Sequence, residues 1–241
     1  MNFENIDHLS IDGKEVVRLE CGDKTLWKGL PEGYRRVDYI GTTGNDSVPG
    51  PYIDTDFVPN QDSRVVCEFL FTRGTGIFGA RTTTTSNNFS LCSSSIVYQF
   101  GYNATLIGSK VKTDANWHTV DFNKNIGTID SSNVVEFKYA AFESPKTMIF
   151  GGINANNRIY YGSCKYRMCQ IYDNGVLIRD FIPCINPEGK VGMYDTVFGV
   201  FYGNAGEGEF YTNETEAQVM ETLNTYALNN PRNNEEFEEE I

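Results

Sequence analysis

Short apolar and aromatic runs, each ended by a turn signal, fill residues 34–211 of this chain. Runs of this length, rich in Val, Ile, Thr, Tyr and Phe, are typical of β-strands. No helical period of about ten residues or more interrupts them, which argues against strands that alternate with helices. About twelve strands in this space predict an all-β sandwich or jelly roll. The runs are "PYIDTDFV", "SRVVCEFLF", "GIFGA", "FSLCSSS", "IVYQFGY", "HTVDFN", "VVEFKY", "TMIFGGI", "YRMCQIY", "VLIRDFI", "KVGMYD" and "GVFYG".

Two turn signals lie near the end of this region. Asn174 and Gly175 separate "CQIYD" from "VLIRDF" and predict a two-residue type I′ hairpin, because that turn needs a positive φ at both positions. Pro183 and Pro187 predict a loop between them, since proline cannot donate to a central β-ladder.

Charge and hydropathy exclude two classes of partner. The net charge is −12, with 32 acidic and 20 basic residues and no cluster of Lys and Arg to neutralise phosphates, so we expect no nucleic-acid partner. No apolar run approaches the ~20 residues that span a bilayer, so we expect no membrane partner. The first residues, "MNFENIDHLSIDGKEVV", lack the basic and apolar regions of a signal peptide, which predicts synthesis in the cytoplasm.

The six cysteines offer no metal-binding pattern. There is no C-x-x-C pair, and His8 and His118 lie far from any pair of cysteines, whereas structural zinc usually has closely spaced ligands. A calcium site needs clustered oxygen ligands, and no Asp-rich loop demands one. We therefore expect reduced, buried thiols and neither a metal nor a cofactor. The cysteines are Cys21, Cys67, Cys92, Cys164, Cys169 and Cys184.

Residues 1–29 form a separate N-terminal segment. Its short apolar runs are broken at Asp12-Gly13 and Gly22-Asp23, which are hairpin signals. The segment is too short to bury a core alone, so we interpret it as an attachment segment that packs on a partner or on the main domain. The main sandwich is expected to span 30–211, after a joint at "LPEG".

Residues 212–241 predict an amphipathic helix followed by an acidic tail. Asn213 with Glu216 resembles a capping box, and Pro231 ends the helical pattern. The apolar stripe on one face needs a cover: it docks on its own sandwich or forms a homo-oligomeric contact. The stripe consists of Val219, Met220, Leu223, Tyr226 and Ala227.

The stretch "FYGNAGEGEF" places three glycines in six positions, as a phosphate-binding loop does. A phosphate loop also needs a lysine that reaches the phosphates. Here Glu207 and Glu209 would repel an anion, and no lysine lies within the next turn. The stretch therefore predicts a tight turn after a final strand, with glycines that supply positive φ.

Residues 30–210 resemble the concanavalin A-like, laminin-G-like jelly rolls of bacteriophage and prophage virion proteins. The resemblance is most specific in "CQIYDNGVLIRDFIPCINPEGKVGMYDTVFGVFYGNAGEGEF". It includes the opening "LPEGYRRVDYIGTTG" and "PYIDTDFVPN", the strand "SRVVCEFLF", the stretch Phe78 to Arg81 and the strand "NWHTVDFN". The N-terminal "IDGKEVVRL" is similar to leader hairpins of phage structural proteins. The resemblance implies a jelly-roll sandwich carried on a virion.

Catalytic residues are not evident in this pattern. Glycoside hydrolases of this fold carry paired carboxylates on alternate positions of one strand, and Asp54 with Asp56 is the nearest pair. In the resembling family this opening strand has a structural role. His118 is predicted as a strand residue hydrogen-bonded at the rim of the sandwich, since spacing alone shows no nucleophile beside it. We expect no enzyme, and a glycoside hydrolase is the least favoured alternative.

One loop carries the residue types that bind sugars. Aromatic rings stack on sugar faces, and Asn and Arg donate to hydroxyls, although Asn-rich segments are also ordinary turns. The candidate glycan-binding residues are Asn154, Asn156, Asn157, Arg158, Tyr160 and Tyr161.

These observations predict a non-enzymatic phage virion protein, associated with head or tail, that displays a lectin-like jelly roll. Its expected partners are other virion proteins and copies of itself. The alternative is an adhesion protein that recognises bacterial surface glycans.

Overall fold

The computed structural model describes residues 9–11, 14–16, 18–21 and 24–217, and its regular structure is almost entirely β. The predicted stripe of Val219, Met220, Leu223, Tyr226 and Ala227 lies outside the described residues, as does the acidic tail. The strands are β1 (Leu9–Ile11), β2 (Lys14–Val16), β3 (Arg18–Cys21), β4 (Lys24–Lys28), β5 (Arg35–Arg36), β6 (Ile40–Gly41), β7 (Ile53–Asp54), β8 (Ser63–Gly74), β9 (Gly76–Ala80), β10 (Asn88–Ser93), β11 (Val97–Asn103), β12 (Thr105–Lys112), β13 (Trp117–Asn123), β14 (Ile126–Ile129), β15 (Ser132–Glu136), β16 (Ile149–Phe150), β17 (Gly152–Asn154), β18 (Ile159–Asp173), β19 (Val176–Ile185), β20 (Val191–Asp195) and β21 (Val200–Tyr202).

The N-terminal segment contains two antiparallel hairpins. Strand β1 pairs with β2, and β3 pairs with β4, each across the two positions that the sequence marks as a turn. The predicted hairpin character of this segment is therefore confirmed.

The remaining strands form two layers, which we call the large sheet and the small sheet. The large sheet has the order β15-β14-β13-β8-β18-β19-β20-β21, with β6 and β5 paired to β18 and β19. The small sheet has the order β12-β11-β10-β9-β16-β7. Strand β17 pairs with both β9 and the first residues of β18, so β18 joins the two layers.

Aromatic side chains fill the space between the two sheets. Phe122 of the large sheet stacks on Phe89 of the small sheet, with ring centroids 4.3 Å apart and planes 9° apart. Phe69 and Tyr98 meet edge to face at 5.4 Å in the same interlayer space. All four are fully buried, and such rings supply most of the apolar area that a core removes from water. The predicted all-β sandwich is confirmed.

The hairpin between β18 and β19 follows the sequence prediction. Asn174 has φ 47° and Gly175 has φ 81°, and Asp173 faces Val176 across the turn. Two consecutive positive φ values match the type I′ turn, whose twist suits the flanking strands.

The loop predicted between Pro183 and Pro187 begins later than expected, because Pro183 lies inside β19 and faces Met193 of β20. Its carbonyl accepts a hydrogen bond from Val37 N at 3.1 Å. The missing N–H is tolerated because the strand on that side, β5, is only two residues long and ends at Arg36.

The capping residue of the C-terminal segment is Thr212 and not Asn213. Thr212 Oγ1 accepts from Glu214 N at 3.1 Å, and Thr215 Oγ1 accepts from Thr212 N at 3.0 Å. Asn213 is used elsewhere, since its Oδ1 accepts from Asp38 N at 3.1 Å. The capping-box prediction was therefore wrong by one residue, because a tertiary contact competes for the asparagine.

The beginning and the end of the sandwich region lie side by side, at an isolated β-bridge between Gly41 and Tyr211. Gly41 and Tyr211 exchange two backbone hydrogen bonds of 2.7 and 3.1 Å. A side chain at Gly41 would overlap the ring of Tyr211, so only glycine fits here. The residues that follow remain on this edge, because Glu216 contacts both Lys165, at 2.5 Å, and Tyr39, while Glu214 pairs with Arg35.

Candidate functional site

The candidate glycan-binding segment is the connection between β17 and β18. Ala155 N donates to Arg158 O at 3.0 Å and closes a tight turn. Asn156, Asn157 and Arg158 are exposed at its tip, whereas Asn154 is partly buried and its Nδ2 donates to Thr147 O at 3.0 Å. The tip therefore presents two side-chain amides and a guanidinium to solvent, while Asn154 has a structural role.

Tyr160 and Tyr161 do not lie on one surface, because successive strand residues point to opposite faces. Tyr161 lies near Tyr52, with ring centroids 6.4 Å apart. Burial raises the pKa of Tyr161, and the neighbouring Tyr52 and Glu207 raise it further. The six predicted residues thus separate, and Tyr160 is the aromatic residue that accompanies the exposed tip.

Arg81 is part of this site, although it was not among the six predicted residues. The guanidinium carbons of Arg81 and Arg158 both lie over the ring of Tyr160, at 4.4 and 4.2 Å from its centroid. Arg81 is only 4 % exposed, and its buried Nε has no hydrogen-bond partner. The signal that would have found it is charge: within residues 74–109, Arg81 is the only charged side chain. These residues form what we call the Tyr160 corner (Arg81, Asn156, Asn157, Arg158 and Tyr160).

The Asp54–Asp56 pair is not a carboxylate pair on one strand face. Strand β7 ends at Asp54, and Asp56 follows in a left-handed conformation with φ 53°. The Asp54 oxygens accept from Asp56 N at 3.1 Å and from Thr147 Oγ1 at 3.0 Å. The assumption of a shared face was wrong, because the strand stops before the second aspartate, and Asp54 holds the local turn.

A second pair of acids, Asp180 and Asp195, is fully buried in the large sheet. Asp195 Oδ1 accepts from Asp180 N at 2.9 Å and from Val197 N at 3.0 Å, and its Oδ2 accepts no hydrogen bond. Arg179 Nε lies 3.7 Å from that oxygen but donates to Thr55 O. Burial raises the pKa of Asp195 despite its two amide donors. Asp195 shapes the turn from β20 to β21, since Gly199 N also donates to its backbone oxygen.

His118 lies on β13 with both ring nitrogens engaged by carboxylates. Nδ1 is 2.7 Å from Asp130 Oδ2, and Nε2 is 3.0 Å from Asp114 Oδ1. The ring is nearly buried and packs against Tyr98 and Phe69. With both nitrogens occupied, His118 has no free position for a substrate proton, as expected of a structural residue.

The glycine-rich loop directs its amides into the protein. Ala205 N donates to Tyr52 O, Gly206 N to Asn204 Oδ1, and Glu207 N to Gly50 O. An anion-binding loop requires such donors to be free, and here they are used to close the turn. Beside the loop lies an open groove of about 540 Å³ whose charged lining residues are Glu188, Lys190 and Glu209. The other lining residues are Asn186, Gly189, Val191, Phe201, Gly203, Asn204, Gly208 and Phe210.

Other site types find no support in the described residues. Within 9–11, 14–16, 18–21 and 24–217, no three metal-ligating side chains come together, and no helix is long and apolar enough to cross a membrane.

All cysteines except Cys21 are buried, and burial raises the pKa of Cys92 to about 11 and that of Cys164 to about 12. Thiols of that kind are unreactive.

Comparisons with known proteins leave the family open. No family model and no curated protein matches the chain. Among solved structures, domains LG4-5 of the mouse laminin alpha1 chain match with 15 % identity and a TM-score of 0.34, over 71 % of this chain and 51 % of that one. This chain thus spans about half the length of that structure. The class of the protein is defined by its own strand pairings and core as an all-β sandwich.

Proposed function

We propose that this chain is a non-enzymatic structural protein of a bacteriophage virion that displays its sandwich on the head or the tail. The proposal rests on the resemblance of the segment Cys169–Phe210 to the closing portion of phage jelly rolls. In the structure this segment is one continuous unit: the end of β18, then β19, β20, β21 and the glycine-rich loop.

The polar residues of this closing segment serve the fold. Asn174 forms the hairpin turn, and Asp195 binds the amides of Asp180 and Val197. Asn204 accepts from Tyr52 N at 3.2 Å and donates to Gly208 O at 2.7 Å, so it closes the glycine-rich loop. Roles of this kind in folding support a displayed scaffold better than a catalytic one.

Assembly with other virion proteins and with copies of this chain is part of the same proposal, with synthesis in the host cytoplasm. Mass spectrometry and electron microscopy of purified particles test it. We expect the chain in stoichiometric copies, and its absence from the particles would overturn the virion assignment. Truncation after Tyr211 should change oligomeric state or incorporation while the sandwich stays folded.

The Tyr160 corner favours glycan recognition as a second candidate function. Exposed amides at Asn156 and Asn157 beside an aromatic ring and a guanidinium are the groups that bind sugar hydroxyls and sugar faces. The two functions are compatible, since a virion protein is able to bind host glycans.

A glycan array probed with the full chain tests this second candidate. We expect binding that is lost when Asn156 and Asn157 are both replaced by Ala. Asn116→Ala, at an exposed asparagine before β13, is the matched control. An array without any bound glycan removes adhesion and leaves the scaffold role.

A further inference from the structure

We propose that Arg81, Arg158 and Tyr160 bind a saccharide that carries a carboxylate, such as an oligomer of uronic acids. The inference rests on the glycan recognition proposed above and names the class of sugar. Its basis is a pair of cations, Arg81 and Arg158, that have no anionic partner among the residues that the structure describes.

The local charge contrasts with that of the whole chain. The chain has 32 acidic and 20 basic residues, yet residues 74–109 contain Arg81 as their only charge. Residues 147–157 contain none, and Arg158 follows directly. Strands β9, β10, β11, β16 and β17 come from these two segments, so the middle of the small sheet carries no acid. The charge that these two segments and Arg158 contribute to the Tyr160 corner is therefore positive.

Arg81 is a buried cation, and arginine keeps its proton in proteins. Arg81 is 4 % exposed, its Nε is enclosed without a hydrogen-bond partner, its guanidinium lies over the ring of Tyr160, and its charge acts on the thiol of Cys92. Arginine stays protonated in proteins, so burial cannot neutralise it as it neutralises an acid or a lysine. Within the described part of the chain no carboxylate pairs with it, and an unpaired buried charge is costly.

Arg158 brings a second cation to the same ring. Because both guanidinium carbons lie within 4.4 Å of one centroid, the two charges are no more than about 9 Å apart. Like charges at this distance repel, and an anion held by both removes the repulsion. Unlike Arg81, Arg158 is exposed and offers its planar donor fork, which matches the two oxygens of a carboxylate.

The neighbours of the two cations indicate a sugar acid instead of a bare anion. Asn156 and Asn157 stand exposed next to Arg158, and their amides both donate to and accept from hydroxyls. A carboxylate on the guanidinium and ring hydroxyls on the amides together describe a uronic acid residue.

Calorimetry on the full chain tests the proposal. The probes are tetramers of galacturonate, glucuronate and mannuronate, each beside its methyl-esterified and therefore neutral form. We expect binding of at least one acidic tetramer, about ten- to a hundredfold weaker binding of its ester, and weakening as NaCl is raised. Equal binding of acid and ester would overturn the carboxylate assignment and leave glycan recognition intact. Binding of no saccharide, on the array or here, would overturn both.

Three variants locate the site. Arg158→Ala, at an exposed position, should weaken binding of the acidic tetramer about tenfold or more and weaken binding of the ester by a smaller factor. Arg81→Met should do the same, because it removes the second charge and keeps the packing volume. Arg167→Ala is the control, since Arg167 also lies over an aromatic ring, that of Trp117 at 3.9 Å, but is paired with Glu68. If Arg81→Met does not fold, Arg158→Ala decides alone. Equal losses in all three variants would contradict the assignment.

Discussion

Within the described residues, two buried side-chain atoms have no hydrogen-bond partner, Arg81 Nε and Asp195 Oδ2, and the two residues deal with their charge in different ways. Asp195 lies 3.7 Å from Arg179, and burial raises its pKa, so it takes up a proton more readily than an exposed aspartate. Arg81 has no carboxylate partner within the described part of the chain, and arginine side chains stay protonated in proteins.

This difference separates a residue that serves folding from one that serves binding. Asp195 is compensated in part from within, because two backbone amides donate to its Oδ1 and Arg179 Nε lies 3.7 Å from its Oδ2. Arg81 has no such partner among the residues that the structure describes, and we propose that a ligand supplies it. A buried aspartate is able to become neutral by taking up a proton, whereas a buried arginine keeps its charge. An unpaired buried arginine is therefore the stronger indication of a bound anion.

Truncation of Asp195 should have the largest effect. Asp195→Ala leaves Asp180 N and Val197 N without their acceptor inside the sandwich, and we expect a loss of about 2–4 kcal/mol in the free energy of unfolding. Urea denaturation measures it. A loss below about 0.5 kcal/mol would show that Asp195 is not the structural residue that the comparison requires.

Asp195→Asn sharpens the comparison through pH. The folded state holds the Asp195 proton more tightly than the unfolded state, whose pKa is near 3.8, so this residue lowers stability as pH rises from 3.8 through its folded pKa. The Asn variant keeps the Oδ1 acceptor and lacks this dependence. Its stability relative to the natural protein should rise across that pH range, and parallel stability curves would contradict the raised pKa.

Arg81→Met should change stability little or increase it by up to about 1 kcal/mol, because the natural cation is buried without a counter-charge. The same change at Arg167 should lower stability by up to about 1 kcal/mol, since Arg167 pairs with Glu68 at 2.8 Å and stacks on Trp117. Thermal unfolding of both variants measures the contrast. A larger loss at Arg81 than at Arg167 would break the distinction between the two arginines.

Replacement of Glu216 should have the smallest effect on stability. Glu216 is an acid paired with a cation, and it therefore serves as a reference for the buried Asp195. Burial opposes its ionisation, but contacts from Lys165 and Tyr39 outweigh burial and lower the pKa of Glu216. Its contribution is present above its unfolded pKa of 4.5 and is lost as pH falls through the lower, folded value. Glu216→Gln should cost less than about 1 kcal/mol at neutral pH, and the cost should vanish in acid. A cost that is independent of pH would contradict the ion pairs.

Local signals in the sequence predicted the fold well, because they act between neighbouring residues. Asn174-Gly175 strongly favours a type I′ turn between two strands, and alternating apolar runs favour a buried face. The prediction at Pro183 failed because the length of the facing strand, two residues in β5, is set by tertiary structure. The cap at Asn213 failed for a similar reason, since Asp38 competes for its side chain.

The candidate site was predicted only in part. The exposed tip at Asn156, Asn157 and Arg158 follows from turn chemistry, which is local. Arg81 lies more than seventy positions away in the sequence, and only the pairing of β9 with β17 brings it to Tyr160. The spacing of neighbouring residues cannot reveal a contact that depends on sheet topology. The position of Arg81 as the single charge in a long uncharged stretch is the sequence feature that points to it.

The pairing of Gly41 with Tyr211 also determines how the sandwich connects to the rest of the chain. The N-terminal segment enters, and residues 212–217 leave, at one shared edge, where Arg35 pairs with Glu214 and Asp38 N binds Asn213. Chain ends that meet in this way allow a domain to be inserted into a host protein or circularly permuted without loss of its core. A circular permutant of the sandwich would join its two ends with a short linker and open new termini in the exposed turn at 187–189. We expect this permutant to refold and to be suitable for fusion to another protein through the new termini.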